Sequence, residues 1–153
     1  MSRNKKYALI SVSDKSKIES IANYLLENNF EIISTGGTYK VLKDLGISVI
    51  PIEEITNFPE IMNGRVKTLH PNIHAGILAR KVDRKVLDDL NIQKITVLIV
   101  NFYPFEDVID KKYSTFEEAI ENIDIGGPAM LRSAAKNHRF VTVVTDINDY
   151  DEL

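Results

Sequence analysis

The sequence predicts an α/β fold, a three-layer domain in which a mostly parallel five-stranded sheet carries helices on both faces. Five short runs rich in β-branched residues recur along the chain, most of them apolar at successive positions, as strands buried on both faces are. Segments with the i, i+3, i+4, i+7 spacing of one-faced helices lie between them. Strands alternating with helices require crossover connections, hence parallel pairing, and put sites at the carboxyl ends of the strands.

The strand runs are Tyr7–Val12, Phe30–Ser34, Val49–Ile52, Thr96–Asn101 and Phe140–Thr145. After the first, Ile18, Ile21, Ala22, Leu25 and Leu26 mark a helix with Asp14 as its expected N-cap. A second helix is expected from Thr38 to Leu45, stopping at Gly46. The stretch from Glu53 to Arg80 fits neither period, and long segments without regular structure are often functional. Phe116, Ala119, Ile120 and Ile123 form an apolar stripe after Ser114. Pro128 suits the first turn of a last, alanine-rich helix ending near Asn137.

Composition bounds the function. The chain has 153 residues, 44% hydrophobic and 27% charged, enough for one domain with its own core and unlike a disordered or fibrous chain. No cysteine is present, so there is no disulfide framework, thiolate nucleophile or cysteine metal site, and a cytoplasmic location is expected. The N-terminal basic stretch runs into too few apolar residues for a signal peptide or membrane span. Nineteen Lys and Arg against 22 Asp and Glu give a formal charge of −3, which argues against a broad nucleic-acid footprint; any bound anion must be held locally.

Five segments carry chemistry. Ser34-Thr35-Gly36-Gly37-Thr38 follows a strand and precedes a helix, so its amides and hydroxyls can cradle phosphate at the positive end of a helix dipole, although a plain turn capped by Thr38 fits as well. Ser11-Val12-Ser13-Asp14-Lys15 repeats that layout and adds a cation, with a cap and a solvated lysine as the plainer alternative. Neither loop has a dinucleotide or P-loop signature. Asn63 to Pro71 concentrates Arg65, Lys67, Thr68 and His70 in irregular chain, which favours an anion or substrate site. His70 and His74 are four apart, but Pro71 opposes one helix through both and no third ligand is identifiable, so no metal site is expected. Asn101-Phe102-Tyr103-Pro104-Phe105 ends the most apolar strand: Phe102 and Phe105 suit packing, and Tyr103 can present a phenol. Asp124-Ile125-Gly126-Gly127-Pro128 precedes the alanine-rich helix, with Lys136 near its far end; Asp124 is either a cap or an acid beside free amides.

In order, SVSDK, STGGT, FPEIMNGRVKTLHPNIHAGILAR, NFYPF and DIGGPAMLRSAAKN resemble the N-terminal inosine monophosphate (IMP) cyclohydrolase domain of the bifunctional purine-biosynthesis enzyme whose C-terminal half is a formyltransferase. The resemblance covers nearly the whole chain, and GRVKTLHP with DIGGPAMLR are its most specific parts. It implies the methylglyoxal synthase-like fold and closure of 5-formamido-4-carboxamide imidazole ribotide (FAICAR) to IMP with loss of water, without cofactor or metal. It places Lys67, Tyr103, Asp124 and Lys136 in the catalytic group. Around the nucleotide it places Ser11, Lys15, Ser34, Thr35, Gly36, Gly37, Thr38, Arg65, Thr68, Asn101, Gly126 and Gly127.

The resemblance also implies a homodimer and a C-terminal AICAR transformylase domain in the complete protein, with no nucleic acid or membrane as partner. The family's cyclohydrolase domain continues for some tens of residues where this chain stops at Leu153, so residues 1–153 are expected to be a single truncated domain without formyl transfer. Two other readings suit the same fold: a regulatory domain that binds a nucleotide or phosphate without reaction, and a methylglyoxal synthase-like lyase. Lys67, Asp124 and Lys136 together oppose the first, and GRVKTLHP has no evident task in the second.

Overall fold

The computed structural model describes residues 5–102, 105–106 and 115–153. Five parallel strands, β1 (Lys6–Ser11), β2 (Phe30–Ser34), β3 (Ile50–Pro51), β4 (Ile95–Val100) and β5 (Thr142–Val144), form one sheet in the order β3-β2-β1-β4-β5. The order reverses at β1, so the carboxyl ends of β1, β2 and β4 meet at the switch point of the sheet, where α/β folds place their ligands. Register aligns them: Ile10 lies beside Ser34 and Ser11 beside Val100.

Side-chain alternation along the strands feeds two cores. Ala8, Ile10, Ile32, Val97 and Ile99 face helices α1 (Ile18–Glu27) and α2 (Gly36–Asp44), meeting Ile18, Ile21, Leu25 and Leu42. Leu9, Ile33, Ile95, Leu98 and Val100 face the other layer, α3 (Ile52–Thr56), α4 (Pro71–Leu78) and the alanine-rich last helix, through Ile52, Ile73, Ile77, Met130 and Ala134. Ile95 and Val97 lie on opposite faces although two apart. A register shift between Tyr7 and Ala8 leaves Thr96 as an extra residue on β4 and flips the alternation there.

Several expectations need correction. Helix α1 is not capped by Asp14: its N-cap is Lys17, in the left-handed region, and the Asp14 carboxylate instead accepts from the Ser16 amide at 2.8 Å. Helix α2 begins at Gly36, two residues before Thr38, so both glycines belong to its first turn. The third strand is only Ile50–Pro51, because Ile52 already opens α3.

The stretch from Glu53 to Arg80 is not irregular. It holds most of α3, a 3-10 turn over Met62–Gly64, and α4, which Pro71 starts at its first position while His70 Nδ1 accepts from the Asn72 amide at 3.1 Å as the cap. A further helix, α5 (Arg84–Asp89), buries only Leu87 and carries Lys85–Asp89 and Arg84–Asp88 pairs one turn apart.

Helix α6 (Phe116–Glu121) is capped by Thr115, which accepts from the Glu118 amide while Glu118 accepts from the Thr115 amide. Its apolar stripe does not face a core: Phe116 is 76% exposed and Ile120 41%. Helix α7 (Gly126–Lys136) has Pro128 in its first turn, as expected, and ends at Asn137. The buried Asn137 amide donates to the carbonyls of Ile77 and Ala79, satisfying the end of α4. No described helix is long and apolar enough to cross a membrane.

Candidate functional site

The site starts from the turn between β2 and α2. In the first turn of α2 the amides of Gly36, Gly37 and Thr38 have no partner within the helix, and the helix dipole concentrates positive potential on them. Gly36 has φ +47°, which lets the turn expose those amides without a side chain. Two ammonium groups flank it. A methyl group at Gly37 would lie 3.8 Å from Lys15 Cε and 3.9 Å from its Nζ, and one at Gly36 would lie 3.1 Å from Lys67 Nζ. An anion at this turn is therefore met by backbone dipoles and by two cations from different parts of the chain.

Each part is held from outside the turn. Lys15 Nζ donates to the carbonyls of Val12 and Ser13 at 3.2 Å each, which folds the side chain back over its own loop. Asn101 Oδ1 accepts from the amides of Ser13 and Asp14 at 2.6 and 2.9 Å, and Asn101 Nδ2 donates to Asp14 O at 3.0 Å. Thr38 Oγ1 donates to Val12 O at 3.0 Å and accepts from Val12 N at 3.2 Å. Ser34 Oγ, fully buried, donates to Ile10 O at 2.7 Å. Ser11 Oγ and Thr35 Oγ1 lie 3.2 Å apart across the two loops.

Beside the cradle opens a cleft of about 720 Å³, lined by the 62–69 segment, the 120–127 segment, Ser11 and Met130. The first wall is a tight turn closed by an antiparallel bridge between Ile61 and Val66, with Met62, Asn63 and Gly64 in succession at φ 54°, 53° and 86°. Left-handed backbone is unfavourable for Met62, and such strain concentrates at functional sites. The turn directs Arg65, Lys67 and Thr68 to the cleft. Arg65 reaches Glu121 on α6 at 3.4 Å, both more than half exposed, a solvated pair worth little on its own.

The second wall is the start of α7. Asp124, two residues before the helix, lines the cleft, and its Oδ1 accepts from the Gly127 amide at 2.9 Å, which satisfies one free amide of the first turn. Gly126 sits so close to buried Thr68 that a methyl group there would collide with Thr68 Oγ1.

Of the residues expected at a site, the structure brings Ser11, Arg65, Lys67, Thr68, Asp124, Gly126 and Gly127 to one cleft, with Lys15, Thr35, Gly36 and Gly37 at the adjoining cradle. The hydroxyls of Ser34 and Thr38 donate to the carbonyls of Ile10 and Val12 inside the sheet, which leaves the Thr38 amide in the cradle. Asn101 likewise spends three bonds on the Ser13–Asp14 backbone and positions that loop. Lys136 is not brought to the site. It is exposed at the last position of α7, about 15 Å of helix rise from Gly126. Tyr103 and Ser114 lie outside the described residues. Sequence reasoning missed Glu60, whose carboxylate reaches Gly64, and Glu121 at the cleft's mouth. Both are single acids that composition gives no reason to separate from solvated ones.

His70 and His74 have structural tasks. His74 Nδ1 lies 2.8 Å from Ser133 Oγ, joining α4 to α7, and its Nε2 is buried. Burial holds the imidazole below its ordinary value of 6.5, partly offset by the Thr68 carbonyl. The folded state thus keeps His74 neutral at a pH where the unfolded chain protonates it. Its contribution to stability is full above pH 6.5 and declines as pH falls from there through the lowered folded value. The urea midpoint of the native chain is expected to drop more steeply between pH 7 and 5 than that of His74→Gln. Parallel pH profiles for the two proteins would contradict this.

A helix first turn with free amides, flanked by two ammonium groups at the switch point of a five-stranded parallel sheet, defines an α/β domain with positive potential concentrated at the carboxyl ends of its strands. The chain belongs to the MGS-like domain family, whose model matches residues 17–129. It is similar to the bifunctional purine biosynthesis protein PurH of Lactobacillus acidophilus, 57% identical over 149 residues, and of Bacillus mycoides, 56% identical over 150 residues. These matches cover 95% and 96% of the chain but 29% of each relative, so the chain spans less than a third of the length of the curated relatives it matches. Among solved structures, the crystal structure of ForH superposes with a TM-score of 0.82 at 36% identity, covering 97% of this chain and 77% of that one.

Proposed function

We propose that this domain is an IMP cyclohydrolase, closing FAICAR to IMP with release of water. The observation that carries the proposal is the joining of cradle to cleft by Lys67, whose ammonium lies against Gly36 while its chain lines the cleft that Asp124 shares. A 5′-phosphate on the α2 amides, beside Lys15, would anchor a nucleotide and direct its base into the cleft. The similarity to PurH proteins supports the same reading.

The chemistry is hard because a carboxamide nitrogen is a weak nucleophile and a formamide a weak electrophile. Anchoring the phosphate uses remote binding energy to hold the two in line. The carboxamide nitrogen attacks the formyl carbon, a C–N bond forms, and the nitrogen's proton passes to Asp124 Oδ2. Lys67 stabilises the formyl oxygen as it becomes anionic and donates the proton that makes it a hydroxyl. In the second step that hydroxyl takes a proton relayed from Asp124 and leaves as water, while the former formamide nitrogen gives its proton to the neutral Lys67 amine and forms the C=N bond of IMP, which restores both side chains. Tyr103 is assigned to this proton delivery on the resemblance alone. The reaction as drawn uses no metal or cofactor.

For the whole protein we propose a cytoplasmic homodimer in which this single domain, residues 1–153, works beside a C-terminal AICAR transformylase domain. The test is ultraviolet monitoring of the chain with FAICAR against spontaneous closure. Saturable conversion to IMP is the expected result. Formation of methylglyoxal from dihydroxyacetone phosphate, with no closure of FAICAR, would overturn the proposal in favour of a lyase; IMP binding without closure would favour a regulatory domain.

A further inference from the structure

Glu60 is the acid closest to the cradle, and neither the cradle nor the proposed reaction uses it. Its Oε1 would lie 2.6 Å from a methyl group at Gly64, and its Oε2 3.9 Å from one at Gly36. Lys67 Nζ lies 3.3 and 3.1 Å from the same two positions. The two legs through Gly64, 2.6 and 3.3 Å, bound the separation of Oε1 and Nζ at 5.9 Å. Nevertheless they make no ion pair, and among the described residues Glu60 has no hydrogen-bond partner, although it is partly buried.

A carboxylate accepts hydrogen bonds and donates none. Beside a cradle for an anion it repels a second phosphate, so the group it can take is a donor. Charge-assisted bonds to oxygen run about 2.5–2.9 Å, so a gap of this size fits one oxygen that donates to the carboxylate and accepts from the ammonium. A hydroxyl does both. In a nucleoside 5′-phosphate with its phosphate on the α2 amides and its base beside Asp124, the hydroxyls that lie between those two ends are those of the ribose.

We propose that Glu60, together with Lys67, binds a ribose hydroxyl and makes the site selective for ribonucleotides over deoxyribonucleotides. This deepens the cyclohydrolase reading and rests on it, since it needs a nucleotide in the cleft. Glu60 sets specificity and has no part in the proton transfers.

The test is calorimetric titration of the native chain, Glu60→Gln and Glu60→Ala with inosine, 2′-deoxyinosine and 3′-deoxyinosine 5′-monophosphates. The native chain is expected to bind the ribonucleotide at least about tenfold more tightly than one of the deoxy analogues, the scale of a lost hydrogen bond to a charged group. In Glu60→Ala that ratio is expected to fall to within about twofold, with Glu60→Gln between, while binding of the deoxy analogue itself changes little. Equal affinity of the native chain for all three overturns the inference without any variant. A ratio that survives in Glu60→Ala overturns it while leaving the nucleotide reading intact. Failure of all three to bind the native chain overturns both.

Discussion

Lys67→Ala is expected to lower the rate of FAICAR closure by about 100- to 1,000-fold, the usual cost of removing one donor to a developing oxyanion. Lys67 belongs at once to the cleft and to the first turn of α2, so two effects must be separated. The α2 amides and Lys15 remain in the variant. Loss of an oxyanion contact should therefore fall on kcat, with IMP affinity reduced by about tenfold or less. Loss of a phosphate contact would instead appear as weaker binding of IMP with kcat kept. Stopped-flow absorbance for turnover and calorimetry for IMP distinguish the two, and an unchanged kcat would remove Lys67 from the chemistry.

Gly126→Ala is expected to cost about 100-fold in kcat/KM. The added methyl group would collide with Thr68 Oγ1, and Thr68, only 3% exposed, has little room to turn aside. The relief available is a shift of the 62–69 turn away from α7, which separates Lys67 from Asp124, and misplacement by an ångström is worth about that factor. Overpacking of this kind destabilises by about 1–3 kcal/mol, a fall of several degrees in Tm for a chain of this size. Kinetics together with a thermal scan test both halves. Activity within threefold of native at a lowered Tm would show that the two walls tolerate separation.

The fold was legible where period and length agree. Ile18, Ile21, Ala22 and Leu25 mark α1 because one stripe meets one face of the sheet, and Leu9 to Val12 or Val97 to Val100 mark strands buried on both faces. Helix α4 was hidden because its stripe is only Ile73, Gly76 and Ile77, and a histidine replaces the usual hydroxyl or acid at its cap. Helix α5 has a single buried residue and no stripe to detect. The stripe on α6 was real, but periodicity says which residues share a face and not what that face meets.

The site was legible as a set of segments more than as a set of roles. Strand ends and glycine pairs located the cradle. Whether a hydroxyl gives its proton to a ligand or to a neighbouring carbonyl depends on a strand 24 or more residues away, so the bonds of Ser34 to Ile10 and of Thr38 to Val12 leave no mark in the local sequence. Asp124 stands before the first turn of α7 and Lys136 at its last position, so closeness to one helix is not closeness in space.

The Asn101 contacts join chain positions 87 and 88 residues apart, and every strand pairing in the sheet is parallel, so no local hairpin can nucleate it. The loop after β1 acquires its shape only once β4 has docked. The proposed anion cradle is therefore expected to be completed late in folding, after an intermediate that has assembled β1 to β3 alone. In refolding experiments, nucleotide capture would report completion of the sheet, and a nucleotide added at the start would slow unfolding without hastening the first stages of assembly.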